Sequence, residues 1–290
     1  MKKLFLLLMI LATNAFAQVD VPLLVPYDPG GTSDKVARVI AKHLSNKDYN
    51  FVVTYKTGAG GLVASNYFAT VKGTQVLVAS NNLVIAPIFN SVRYDINKFI
   101  PVSFVGFEPT FIVTNTNNPT RDLREIFKEG NYSFATAGVG TSGHLLTLVL
   151  SQYGNLIHVP YKGANPVIPA ILNNDVYLTV DTYSSIGQHI ESGKVTPIAI
   201  VNRKRLERFS HIKTLREYKI DDIGLNRWFS LIASEESDDV IIEYIRESMK
   251  DRKLVKELSV LGLDVNTSLR LHEFLKAESR RVSELYERVK

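Results

Sequence analysis

No cysteine occurs in the 290 residues of this chain. That excludes disulfides, thiolate metal sites, a cysteine nucleophile and a lipid-modified N-terminal cysteine. Histidine is sparse as well. His43, His158, His189, His211 and His272 lie scattered, without metal-ligand spacing, so neither a metal nor a cofactor is expected. Long apolar runs are missing too. Leu4 to Ala12 falls short of the ~20 residues of a spanning helix. Set between Lys2-Lys3 and Ala15-Phe16-Ala17, it reads as the core of a secretory signal peptide over residues 1–17, cleaved near Ala17. The competing reading, a membrane anchor, needs a longer run. The remaining chain is expected to be soluble in the compartment beyond the membrane. Charge of one sign is also lacking. The formal charge is +5, and Lys2 and Lys3 supply two of those charges. Elsewhere bases alternate with acids, as in Arg203-Lys204-Arg205-Leu206-Glu207-Arg208. No basic stripe with interleaved aromatics is present, so no nucleic-acid partner is expected. A mild positive excess still draws in anionic solutes.

What the chain does have is glycine at turns. Pro29-Gly30-Gly31-Thr32-Ser33-Asp34, Gly58-Ala59-Gly60-Gly61 and Gly138-Val139-Gly140-Thr141-Ser142-Gly143 each follow an apolar β-rich run or open a helical pattern. Such turns bring bare backbone N–H groups to a helix N-terminus, where they hold an anion. The ordinary alternative is a strand-to-helix connection. Asp34 fits both readings, either serving the first helical turn or binding a donor group of a ligand.

Apolar runs at Val19–Tyr27, Phe51–Tyr55, Gln75–Ala79, Val102–Phe107 and Phe111–Thr114 read as strands. Ser33–Ser45, capped by Thr32 or Ser33, and Leu62–Val71 read as helices. A second unit repeats the style. Arg121–Lys128 and His144–Tyr153 are helical, with strands at Tyr132–Ala137, Leu156–Pro160, Val176–Val180 and Pro197–Val201. Trp228–Ala233 is a late strand. Beyond Asp238 the pattern is helical, ending in an amphipathic stretch over about Ser268–Val289. Alternating strands and helices predict mainly parallel, open α/β sheets with ligands beyond the carboxyl ends of the strands. A chain of this length exceeds what one core readily serves, and no flexible linker is present. Two lobes joined by chain crossovers are therefore expected.

The third turn matches G-x-G-x-x-G, but the acidic residue that a ribose needs about 20 positions on is missing from Ile157–Ala164. Ser142 and His144 invite an exported hydrolase reading. The nucleophile elbow G-x-S-x-G fails at its last position, where His144 stands. Tyr161-Lys162-Gly163 follows a strand end and offers a hydroxyl and a cation to a carboxylate. A surface lysine beside a packed tyrosine is the plain alternative.

The ordered set Pro26-Tyr27-x-x-Gly30-Gly31-x-x-Asp34, Gly58-Ala59-Gly60-Gly61, Tyr94-Asp95, Phe99-x-Pro101-Val102, Ala137-Gly138-x-Gly140-Thr141-Ser142-x-His144-Leu145 and Val159-Pro160-Tyr161-Lys162-Gly163 resembles the Bug (TctC) receptors, the extracytoplasmic solute-binding proteins of tripartite tricarboxylate transporters. The resemblance continues through Asp181, Ser192-Gly193-Lys194, Thr214-Leu215-x-Glu217 and Trp228. It implies an α/β fold of the two-lobed periplasmic binding protein type (type II, Venus-flytrap). Residues 18–114 and 225–290 would form one lobe and 115–224 the other, with a ligand cleft between. It also implies a small carboxylate ligand, integral-membrane transporter subunits as partners, a monomer, and no enzymatic activity. Carried over, Tyr27, Gly30, Gly31, Thr32, Asp34, Ser80 and Asn81 belong to the site from one lobe. Thr136, Ala137, Gly138, Thr141, Ser142, His144, Tyr161 and Asp181 belong to it from the other. A sensory module for a membrane kinase would use the same cleft. Three departures stand out. Lys72-Gly73-Thr74-Gln75 is a shortened loop, Asn174-Asp175-Val176 lacks a usual glycine, and Tyr27 replaces a frequent phenylalanine.

Overall fold

The computed structural model describes residues 18–202, 204–220 and 225–290. The expected signal peptide, Arg203 and residues 221–224 lie outside them. From Gln18 onward come β1 (Val19–Val25), α1 (Thr32–Leu44), β2 (Tyr49–Tyr55), α2 (Leu62–Phe68), β3 (Val76–Ser80), α3 (Asn82–Phe89) and β4 (Ile100–Glu108). Next are β5 (Thr110–Asn115), α4 (Leu123–Glu129), β6 (Tyr132–Thr136), α5 (Ser142–Leu150), β7 (Leu156–Pro160), α6 (Val167–Leu172), β8 (Leu178–Thr182), α7 (Tyr183–Glu191) and β9 (Val195–Ile200). The chain then returns through β10 (Arg227–Ala233), α8 (Asp239–Ser248), α9 (Arg252–Val260), β11 (Asp264–Val265) and α10 (Leu271–Val289).

These strands make two sheets, ordered β11-β4-β10-β3-β1-β2 and β7-β6-β8-β5-β9. All five residues of β3 and all six of β5 are buried, which is why both read as unbroken apolar runs. The expectation of mainly parallel sheets is corrected. β1 pairs in parallel with β2 and β3, and β6 with β7 and β8. However, β10 runs antiparallel to β3 and β4, β11 to β4, and β5 to β8 and β9. The cause is the crossover. Strands that leave one unit or return to it enter the sheet from the opposite end, and an apolar run carries no mark of direction. The first crossover is Glu108-Pro109-Thr110. Strand β5, placed by the sequence boundary at 114 with the first unit, forms its ladders in the second sheet.

Helix α3 had no counterpart in the sequence reading. Its segment is apolar on every side and carries Pro87. Proline removes the N–H that would bond the Leu83 carbonyl. The buried Tyr94 hydroxyl donates to that carbonyl at 2.7 Å instead.

Three apolar cores hold the molecule. One lies between the first sheet and α1, α8 and α9, around Val36, Ile40, Phe229, Ile242 and Leu254. One backs the second sheet, around Phe111, Ile171 and Ile186. The third is shared by both units and joins Leu77, Phe104 and Trp228 with Ile112, Phe134 and Leu146. Helix α10 seats Leu275, Val282 and Leu285 in it. Phe274 meets Trp228 and Phe104 edge-on, Tyr286 meets Phe89, and Gln152 donates to the Arg288 carbonyl. Among the described residues no helix is long and apolar enough to cross a membrane.

Candidate functional site

The first glycine turn is held by its own carboxylate. Asp34 accepts the Gly30 N–H at 2.7 Å, the Tyr55 hydroxyl at 2.7 Å and Arg38 Nε at 2.8 Å. Burial pushes its pKa up, but these hydrogen bonds outweigh burial and hold it below the ordinary carboxylate range. Of its two readings, Asp34 serves the turn. The N-cap of α1 is Gly31, with no side-chain cap from Thr32 or Ser33, and Asp34 supplies the negative charge that the helix start favours. The Thr32 hydroxyl is freed for longer-range contact. It donates to Glu108 Oε1 at 3.1 Å and bonds Ser184, the second residue of α7.

The second glycine turn lies against Tyr27 on one side and the third turn on the other. Gly61 takes φ +97°, and a Cβ there would stand 3.3 Å from Pro26 Cβ and 3.4 Å from the Tyr27 hydroxyl. A Cβ on Gly60 (φ +61°) would stand 2.8 Å from Asn82 Nδ2 and 3.6 Å from Thr141 Cγ2. Only glycine takes this backbone and this spacing without strain. The Tyr27 hydroxyl bonds Ser80 Oγ at 2.9 Å, across the ends of β1 and β3. Next to Ser80, Asn81 is buried and its Nδ2 has no hydrogen-bond partner among the described residues.

In the third turn Thr141 caps α5. Its hydroxyl accepts the His144 N–H at 3.3 Å and donates to the Gly138 carbonyl at 2.7 Å. The amides of Ser142 and Gly143 fall in the first turn of α5, where a helix has no internal acceptor for them. His144 Nδ1 accepts the Gly140 N–H at 3.1 Å, and its ring stacks on His158 with centroids 4.6 Å apart. Thr136 Oγ1 bonds His158 Nε2 at 2.7 Å. Burial lowers the His144 pKa, and burial with the nearby His144 takes His158 down to about 4. Tyr161 contributes through its backbone, donating to the Thr136 carbonyl at 2.9 Å. No hydrogen bond joins Ser142 to His144 among the described residues, and His144 Nδ1 is committed to Gly140.

A cavity of about 100 Å³ opens beside this turn. Of the expected site residues, Ala137, Thr141, Ser142 and Asp181 line it. Tyr27, Gly30, Gly31, Thr32, Asp34, Ser80, Asn81, Thr136, Gly138, His144 and Tyr161 do not. Thr110, Thr182 and Arg227 line it without having been anticipated. Arg227 lies over the faces of Tyr27 and Phe229, 5.1 Å from each ring centre, and its Nη2 donates to Ser33 Oγ at 3.2 Å. Its Nε is 3.7 Å from Glu108 Oε2. Glu108 is 1% exposed and sits between the N-terminal turns of two helices, taking Thr32 of α1 and Ser184 of α7 on Oε1. Its Oε2 has no hydrogen-bond partner among the described residues. Asp181, at the end of β8, accepts the Thr182 N–H at 2.7 Å. Burial pushes its pKa up to about 6, and the Glu108 charge adds to the rise. Glu108 and Arg227 each flank an apolar run, at Val102–Phe107 and Trp228–Ala233. A lone charge at the end of a buried strand was the sequence signal for both.

A model of the tripartite tricarboxylate transporter family receptor (TctC) matches residues 36–288. The sequence is 28% identical over 271 residues to Protein BugT of Bordetella pertussis, a match covering 87% of this chain and 82% of BugT. The solved structure of the periplasmic binding protein BugD superposes with a TM-score of 0.80 at 26% identity, covering 93% of this chain and 97% of BugD. An R. palustris protein solved with adipate, Rpa4515, shares the fold with a TM-score of 0.82 at 23% identity, over 92% of this chain and 96% of its own. Sequence match and two-lobed architecture agree along nearly the whole described chain, which therefore belongs to the Bug/TctC family of solute-binding receptors of tripartite tricarboxylate transporters.

Proposed function

We propose that this chain is a periplasmic receptor that captures a small carboxylate between its two lobes and delivers it to the membrane subunits of a tripartite tricarboxylate transporter. The observation that carries the reading is the cavity shared by the α5 turn and Arg227, because it faces helix-start amides and a guanidinium at once. The carboxylate takes the amides of Ser142 and Gly143, the Thr141 hydroxyl and Arg227. On this reading the turns at Tyr27–Asp34 and Ser80–Asn81 of the other lobe close on the bound ligand, with Thr32 against Ser184. A ligand that touches both lobes binds the closed form better than the open form and shifts the population towards it. The membrane subunits read that closed form. The protein works as a monomer after cleavage near Ala17, and no bond in the ligand is broken. The adipate bound by the R. palustris neighbour supports a carboxylate as ligand class.

Titration calorimetry of residues 18–290 against a panel of mono- and dicarboxylates, adipate included, tests the reading. Saturable binding of one member, with a more compact scattering profile on binding, is the expected result. A folded protein that binds none of the panel refutes it.

A further inference from the structure

The cleft carries more negative charge than a receptor for a plain carboxylate needs. Asp34 is neutralised by Arg38 and fills the first turn. Glu108 lies between two helix starts and takes the Thr32 and Ser184 hydroxyls on Oε1. One cation, Arg227, then faces two carboxylates, Glu108 and Asp181. Glu108 is fully buried with Oε2 lacking a hydrogen-bond partner among the described residues, and Asp181 lines the cavity itself. A second ligand carboxylate placed there would meet like charge in a poorly solvated space.

Building on the receptor reading, we infer that the ligand carries a protonated nitrogen beside its carboxylate, with Asp181 holding the nitrogen and Arg227 with the α5 amides holding the carboxylate. The cavity provides both kinds of partner within its small lining. A bare divalent cation does not fit, since no three acidic or histidine side chains come together as a ligand set among the described residues. Ionisation of Asp181 follows the same logic. In the empty cleft its pKa is raised to about 6 by burial and by Glu108, and Arg227 opposes that rise. Thr182 and Ser185 at the α7 start hydrogen-bond it, and β5 sets the apolar Phe111 opposite. A cationic nitrogen stabilises the ionised form, so a ligand that has one binds best above that pH. A ligand without one binds best below it.

The test is calorimetry with matched pairs that differ only in the amine: propionate and alanine, butyrate and 4-aminobutyrate, succinate and aspartate. The expected result is at least tenfold tighter binding of an amine-bearing member. That advantage is lost in Asp181→Asn, and in the wild-type protein it shrinks as pH falls through 6. The pH arm uses the unaltered protein and stands even where the variant folds poorly. Amine-free members binding as tightly as their partners, or more tightly, overturns this inference and leaves the carboxylate receptor intact. No binding by any member to the folded protein overturns both.

Discussion

At the scale of single residues, the proposed function makes Arg227 the side chain on which ligand affinity is expected to turn. It lines the cavity, stacks on Tyr27 and touches Glu108 through Nε. A charge-assisted hydrogen bond contributes about 1.5–3 kcal/mol, so Arg227→Gln is expected to weaken carboxylate binding roughly 10- to 100-fold. Calorimetry reads this directly, with unchanged circular dichroism as the control for folding. The turns that frame the cleft were legible in the sequence because glycine pairs next to hydroxyl residues are rare and have few uses. Arg227, Glu108 and Ser184 were not, since each is one ordinary polar residue whose meaning comes from a contact across more than 70 positions. Asp34 was legible as important but not in its role. Whether it faces a ligand or its own turn depends on Tyr55, which the chain brings in from the next strand.

At the scale of elements, most boundaries were readable from apolar periodicity. Helix α3 is apolar all round and contains proline, so neither amphipathic spacing nor propensity marks it. Its last turn depends on the Tyr94 hydroxyl supplying the hydrogen bond that Pro87 cannot. Tyr94→Phe leaves the Leu83 carbonyl unpaired in the core and is expected to cost about 1–3 kcal/mol by urea denaturation. The stacked imidazoles where α5 meets β7 give a pH signature. The folded state holds His158 at about 4, below the ordinary 6.5. A depressed histidine contributes stability that is complete above pH 6.5 and lost as pH falls towards 4, because the unfolded chain binds the proton more readily. His158→Gln is expected to flatten the stability curve across that window, measured as urea midpoints at half-unit steps. Strand direction was the other illegible feature. The antiparallel placement of β5 and β10 follows from the crossovers, and no residue pattern within either strand records it.

At the scale of the whole molecule, two lobes were expected, and two sheets are present, but the lobes share a core through α10. Leu285 is 2% exposed and belongs to the same cluster as Trp228 from the first sheet and Leu146 from the second. Leu285→Ala is expected to cost about 2–5 kcal/mol. Because the cluster spans both units, scanning calorimetry should show one endotherm shifted down in temperature, where independent lobes would give two. The amphipathic stretch over Ser268–Val289 gave away the helix. It could not reveal the seam, since a stripe of leucine and valine fits any apolar surface. That seam also sets an order of events during synthesis. A chain that stops before Leu271 leaves Phe104, Trp228 and Leu146 without their cover, so stable tertiary structure must wait for the final helix, and any factor that guards the unfinished polypeptide has an apolar furrow to grip until then.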